Sequence, residues 1–254
     1  MISILIHASG VACFGYALYY DLFHVHLPAH MASSAAFSAM QAFPGKWKYL
    51  TVWDIVLQLV YHSVGLANDL FGSSEVVAKR QSALQRFRDG LFASWAFPVG
   101  LFVSASFWGL YALDRALVFP KEMDAFYPAW LNQAVHTGPV TFLLLEALTV
   151  PKLRPGRTCT LTANLGFSLT YLAWITWVFS QNGVWAYPIL EVLNNGQRGI
   201  FFGTCCLCIV GFYFLGEKLN QWRWGSEDSK AVSGKANGAK AKNVGKGKKK
   251  AKLT

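Results

Sequence analysis

Six apolar stretches, roughly 2–20, 50–68, 91–111, 130–149, 160–180 and 199–217, recur along this chain. Each approaches the ~20 residues that a helix needs to cross the hydrocarbon of a bilayer. Backbone facing lipid can bond only within its own segment, so segments of this kind are expected to be helices. The composition agrees. Of the 254 residues 54% are hydrophobic and only 14% charged, against about 25% charged in soluble domains. The expected fold class is all-α, a polytopic membrane bundle of six transmembrane helices. No Lys or Arg precedes the first run. A cleavable signal peptide would begin with such a basic region, so this run is expected to be a retained helix.

The formal net charge of +10 would suit a nucleic acid if it were spread over a surface, but 11 of the 23 Lys and Arg lie from Lys218 onward. Nucleic acid is therefore not an expected partner. Basic residues in the connections set orientation. Segments 71–90 (Lys79, Arg80, Arg86, Arg88), 150–159 (Lys152, Arg154, Arg157) and the tail hold 18 of them, against 5 in the alternate loops (Lys46, Lys48, Arg115, Lys121, Arg198). Both termini are expected to be cytosolic.

The chain divides into a membrane domain, 1–224, and a Lys-rich tail, 225–254, too poor in apolar residues to pack and so expected to be disordered. Its nine lysines would attract anionic lipid headgroups by ~1 kcal/mol each. Lys250 and Lys252 resemble a dilysine retrieval signal, which points to the endoplasmic reticulum or another endomembrane, with the cell membrane as the alternative. The five cysteines, Cys13, Cys159, Cys205, Cys206 and Cys208, sit in or beside apolar runs and read as packing residues rather than a disulfide framework. His24, His26 and His30 lie in an outer loop without neighbouring Cys or acids, a weak metal signal. Residues 74–88 mix Val76, Val77, Leu84 and Phe87 with basic groups and read as an interfacial helix or a solvated connector.

Polar residues inside the spans carry the chemistry. Thr51, Asp54, Gln58 and, less closely, His62 line one face of the second span. His136 stands in the fourth, with Asn132 one turn earlier on the same face. Ionisable groups at such depth face protein or a water-filled cavity. Both spans enter from the same side of the membrane, so Thr51 and His136 fall within about two turns of each other in depth. A hydroxyl beside an imidazole is the minimum apparatus for nucleophilic catalysis, and an acyl ester lipid would be the natural substrate at that depth. Asp54 is a candidate to orient His136, and Asn132 a candidate oxyanion donor. Gln58, Trp130, Tyr187 and Glu191 are candidate pocket residues. The loop Trp185-Ala186-Tyr187-Pro188 with Glu191 reads first as an interfacial aromatic belt and second as a lid. This chemistry calls for no metal or cofactor.

The segments Trp47-Lys48-Tyr49-Leu50-Thr51, Ala96-Phe97-Pro98-Val99-Gly100 with Phe107-Trp108, Trp130-Leu131-Asn132 with His136-Thr137, Trp185-Ala186-Tyr187-Pro188, and Gly216-Glu217-Lys218-Leu219-Asn220 with Trp222 and Trp224 occur in this order. Together they resemble the androgen-induced and androgen-dependent (TFPI-regulating) membrane protein family over about residues 46–225. The resemblance implies a six-helix hydrolase of fatty acid esters of hydroxy fatty acids (FAHFAs). It also implies a threonine nucleophile at Thr51 and a histidine at His136. Gln133 stands where relatives often have His, and Ala186 where Val is usual. Two alternatives stand beside this reading. One is a haem-binding electron carrier using His7 and His62; the other is a non-catalytic regulator that binds a lipid.

The distribution of basic residues generates a direct expectation. Epitope tags at the two termini should be accessible together in selectively permeabilised cells, with 21–48, 112–129 and 181–198 on the opposite side. Opposite accessibility of the two tags would mean an odd number of crossings.

Overall fold

The computed structural model describes residues 1–28, 41–75, 80–153 and 155–250, with side chains through residue 225. Among these residues every regular element is helical. Helix α1 covers Ile2–His24 and α2 Leu50–Phe71. Next, α3, Ala83–Leu91, continues through a π-helical turn at Phe92–Ala96 into α4, Phe97–Asp114. The fourth apolar run forms α5, Ala129–His136, and α6, Gly138–Thr149. They are followed by α7, Arg157–Asn182, a short α8, Pro188–Val192, and α9, Asn195–Lys250.

Four of the described helical segments are long and apolar enough to cross a membrane: Ile2–His24, Leu50–Phe71, Ala83–Leu117 and Asn195–Gly225. The chain is thus a multi-pass, all-helical membrane protein. The other two expected spans depart from the expectation for separate reasons. The run 130–149 is interrupted at Thr137 because Gly138 and Pro139 follow. Proline cannot donate to the carbonyl four residues back and disfavours helical geometry in the residue before it. Helix α7 is long enough at 26 residues, but its many Thr, Ser and Asn residues, with Asn164 and Ser168 buried, lower its hydropathy. The expected interfacial helix is also displaced. Val76 and Val77 lie outside the described residues. Helix α3 begins at Ala83, capped by the Ser82 hydroxyl, which accepts from the Gln85 N–H. It buries Arg88 against Asp89 at 2.7 Å and leaves Phe87 exposed. Backbone helix α9 runs on to Lys250, where the composition leads us to expect a disordered tail; Ala and Lys, common in that stretch, are both good helix formers.

The bundle has polar groups inside and apolar groups outside. His7, Asp54, Gln58, His62 and Glu146 are all fully buried, while Ile200 and Leu207 on α9 are each 73% exposed. In water such an apolar surface would be a liability; in a bilayer it meets lipid. Helices α1 and α2 form the most extensive pair, and their contact is reciprocal. His62 of α2 fits over Gly10 of α1, and His7 of α1 fits over Gly65 of α2. A Cβ at Gly10 would lie 2.5 Å from the His62 ring, and one at Gly65 2.3 Å from the His7 ring. The two glycines therefore set how closely the helices approach.

Proline also writes the next contact. Pro98 cannot bond the carbonyl of Ser94, and that oxygen accepts instead from Asn164 Nδ2 of α7 at 3.0 Å. Two residues on, the Ala96 carbonyl accepts from Gln58 Nε2 of α2 at 3.1 Å. The π-turn is thereby held from two neighbouring helices.

Gly65→Ala should destabilise the protein by about 1–3 kcal/mol, the usual range for overpacking, and lower its thermal midpoint in detergent. Gly203→Ala, whose Cβ would meet open space, should leave the midpoint unchanged or raised. Equal effects from the two substitutions would contradict the reciprocal packing.

Candidate active site

Thr51 is the second residue of α2, and the entry to that helix is clamped. The Leu50 N–H donates to Tyr187 Oη at 2.8 Å, and Tyr171 Oη donates to the Lys48 carbonyl at 2.9 Å. The two phenolic oxygens are 3.0 Å apart, so with the Tyr171 proton given to Lys48 the Tyr187 hydroxyl donates to Tyr171. The indoles of Trp53 and Trp174 both donate to the Trp47 carbonyl, at 2.9 and 3.0 Å. That carbonyl lies four residues before Thr51, and among the described residues the Thr51 N–H has no backbone carbonyl partner. Lys48 is buried beside this clamp, and burial pushes its ammonium down to about 8.

His136 ends α5, one residue before the break. Its Nδ1 lies 2.8 Å from Asn132 Oδ1 and 3.1 Å from the Asn132 carbonyl. Both partners are acceptors, so Nδ1 carries the proton and Nε2 presents its lone pair. Thr51 Oγ1 is 3.2 Å from Nε2 and donates to it. The imidazole lies flat on Phe107, with ring centroids 3.5 Å apart and planes 8° from parallel. A hydroxyl is thus bonded to the basic nitrogen of an imidazole whose tautomer and plane are both fixed. Such a pair can activate the hydroxyl as a nucleophile and carry its proton to a leaving group.

Thr51 and His136 open into a cavity of about 1300 Å³, lined chiefly by apolar side chains such as Phe102, Leu110, Phe119, Ile175 and Ile209. This exceeds the usual 300–1,000 Å³ of a small-molecule pocket and suits a long, flexible, apolar ligand. Tyr187 and Glu191 line it as expected, and Glu191 accepts from the Trp185 N–H at 2.6 Å, bracing the aromatic loop.

The remaining expected residues are placed differently. Asp54 does not approach His136; its Oδ1 accepts from Gln58 Nε2 at 2.8 Å, one turn along the same helix. It is Asn132 that meets the imidazole, through its side-chain oxygen, so that oxygen faces His136 Nδ1. Gln58 is turned to Asp54 and Ala96 and does not line the cavity. Nor does Trp130, which stacks on Tyr16 of α1 at 5.4 Å. Phe107 and Tyr171 were not foreseen as site residues, although Phe107 stood inside a quoted motif. Gln133 accepts from the Thr137 hydroxyl, which accepts in turn from the Trp108 indole, so it braces the break. His30 lies outside the described residues. The His7 and His62 rings pack directly together, centroids 5.7 Å apart, with Phe14 stacked on His62. Rings this close together do not flank a porphyrin, which counts against the haem reading through this pair.

The fold and this geometry define a class: a polytopic helical membrane protein with a hydroxyl–imidazole pair opening into a lipid-sized cavity. Residues 2–221 match the FAR-17a/AIG1-like protein family, and the chain belongs to that family. The match includes α1, which the quoted motifs do not reach. The chain is 40% identical to the human androgen-induced gene 1 protein over 195 residues, covering 74% of this chain and 82% of the relative. It is 37% identical to the mouse androgen-dependent TFPI-regulating protein over 183 residues, covering 72% and 79%. No solved structure matches the chain.

Asn132→Ala should slow labelling of Thr51 by a serine/threonine-directed fluorophosphonate about tenfold, because the Asn132 backbone carbonyl still holds Nδ1–H. Asp54→Asn, which touches neither Thr51 nor His136, should change labelling less than twofold in folded protein. The reverse order would restore Asp54 as the orienting group.

Proposed function

We propose that the chain is an integral membrane threonine hydrolase that cleaves the ester bond of FAHFA-type lipids, giving a fatty acid and a hydroxy fatty acid. The observation that carries this reading is the 3.2 Å contact between Thr51 Oγ1 and an imidazole nitrogen whose partner nitrogen is already committed to Asn132. Six crossings with both termini cytosolic form part of the proposal, as do an endomembrane location and binding of the basic tail to anionic headgroups. The 18-to-5 asymmetry of basic residues supports that orientation.

The chemistry follows from the geometry. Thr51 Oγ1 attacks the ester carbonyl carbon while His136 Nε2 takes the hydroxyl proton. The carbonyl oxygen becomes an oxyanion. The Thr51 N–H, in the first turn of α2 and without a carbonyl partner among the described residues, is a donor for it at the positive end of the helix dipole. As the intermediate collapses, His136 returns its proton to the alkoxide of the departing hydroxy fatty acid, leaving an acyl ester on Thr51. Water, deprotonated by the same imidazole, then attacks the acyl carbon; the bond to Thr51 Oγ1 breaks, His136 returns the proton to that oxygen, and the fatty acid leaves. Phe107 contributes twice: its face holds the ring plane, and it favours the transient imidazolium by a cation–π contact. Asn132 Oδ1 accepts the Nδ1 proton throughout.

A non-catalytic lipid-binding regulator would use the same cavity without needing Thr51. The names of the TFPI-regulating relatives give that alternative its support. The two readings separate in one assay, FAHFA hydrolysis by protein that runs as a monodisperse species. Thr51→Ala should lose at least 100-fold in kcat/KM, and Thr51→Ser should retain measurable turnover. His136→Ala should fall nearly as far as Thr51→Ala, because members of such a unit fail together instead of additively. Full hydrolysis by folded Thr51→Ala would remove the nucleophile and favour the regulator.

A further inference from the structure

The bundle buries a second polar cluster, away from the Thr51–His136 cavity. His62 lies eleven residues after Thr51, about 16 Å along α2 at 1.5 Å per residue. It meets His7 of α1 and Glu146 of α6, and all three side chains are fully buried. His7 Nδ1 lies 2.7 Å from Asp69 Oδ2, and its Nε2 lies 2.9 Å from Glu146 Oε2 and 3.0 Å from Oε1. Tyr61 donates to Glu146 Oε1 at 2.8 Å, and Lys152 contacts the same oxygen. One nitrogen from each histidine and one Glu146 oxygen lie within 4.8 Å of one another. Neither nitrogen of His62 has a hydrogen-bond partner among the described residues. An imidazole buried with both nitrogens unmet, beside a carboxylate and a second imidazole, is the feature to be explained.

We propose that His7, His62 and Glu146 form a binding site for one divalent transition-metal ion, with zinc as the best match. Two imidazole nitrogens and one carboxylate oxygen make a familiar zinc donor set. His7 Nε2 and Glu146 already lie 2.9–3.0 Å apart, close to the spacing of neighbouring donors around an ion with bonds of about 2.0–2.2 Å, and binding would draw the His62 nitrogen in from within 4.8 Å. Asp69 already holds His7 Nδ1–H, the outer-shell carboxylate that fixes a ligating histidine and raises its basicity. Gly10 and Gly65, which admit the two rings, allow both histidines to face one point between α1 and α2.

The test uses full-length protein purified in detergent, stripped with a chelator and equilibrated with zinc alone at micromolar free concentration. Stoichiometry is read by elemental mass spectrometry, and coordination by the visible absorption of the cobalt-loaded protein. The wild type should take up one zinc per chain and, with cobalt, give a visible absorption spectrum distinct from that of free aqueous cobalt. His62→Phe keeps a ring of similar size against Phe14 and should bind at least 100-fold more weakly. Asp69→Asn should bind about 10–100-fold more weakly. Thr51→Ala should bind zinc as the wild type does, since that cavity is separate, so the outcome is independent of the hydrolase assignment. Wild-type protein that takes up no zinc, or takes it up equally in His62→Phe, overturns the proposal and leaves the cluster a buried ion-pair network. If His62→Phe is not monodisperse, the wild-type stoichiometry and Asp69→Asn decide the matter by themselves.

Discussion

Hydrocarbon offers no partner to a polar atom, and much of this architecture consists of answers to that constraint. Where Pro98 removes an N–H, the freed Ser94 carbonyl is met by Asn164 from α7. Where the π-turn opens, the Ala96 carbonyl is met by Gln58 from α2. Each answer ties one helix to another at a defined height. Through Gln58 the constraint reaches the helix that carries Thr51, two turns from its hydroxyl. Through Trp174 and Tyr171 of α7 it reaches the loop that leads into that helix. The candidate site is thus held by backbone groups that lipid cannot satisfy, more than by its own two side chains.

The choice of threonine fits this setting. Its branched Cβ restricts χ1, so a hydroxyl at the start of a clamped helix is already aimed before a substrate arrives. A serine in the same place would keep the oxygen and lose part of the aim. The imidazole is restricted in the same spirit, by Asn132 at one edge and by Phe107 on one face. Little reorganisation would be left for the proposed reaction, which is where preorganised sites gain their rate.

How much of this could be read in the sequence depends on the kind of relation involved. Depth in a membrane is additive along a helix, so the juxtaposition of Thr51 and His136 was legible from span order and rise per residue. Rotation is not additive in the same way. Asp54 and Asn132 each lay on the correct face, yet helical phase alone could not say that Asp54 turns to Gln58 while Asn132 turns to the imidazole. The break after His136 was written in Gly138-Pro139 but hidden by an apolar run of convincing length. Tyr171 left no signal, because its contact spans 123 residues. The pairing of His7 with Gly65 and of His62 with Gly10 is likewise a relation between helices, invisible in either one.

That interruption at Thr137 has a bearing on how the protein can vary. His136 belongs to an eight-residue helix and Glu146 to the helix beyond it. Two polar sites that a single straight rod would have locked in phase are therefore mounted on separate pieces. Thr137 itself keeps right-handed geometry, and the bonds from its N–H to the Gln133 carbonyl and from the Thr141 N–H to its own carbonyl run across the junction. The two pieces therefore stay coupled, and Gly138 and Pro139 are where a substitution would change the aim of one centre relative to the other.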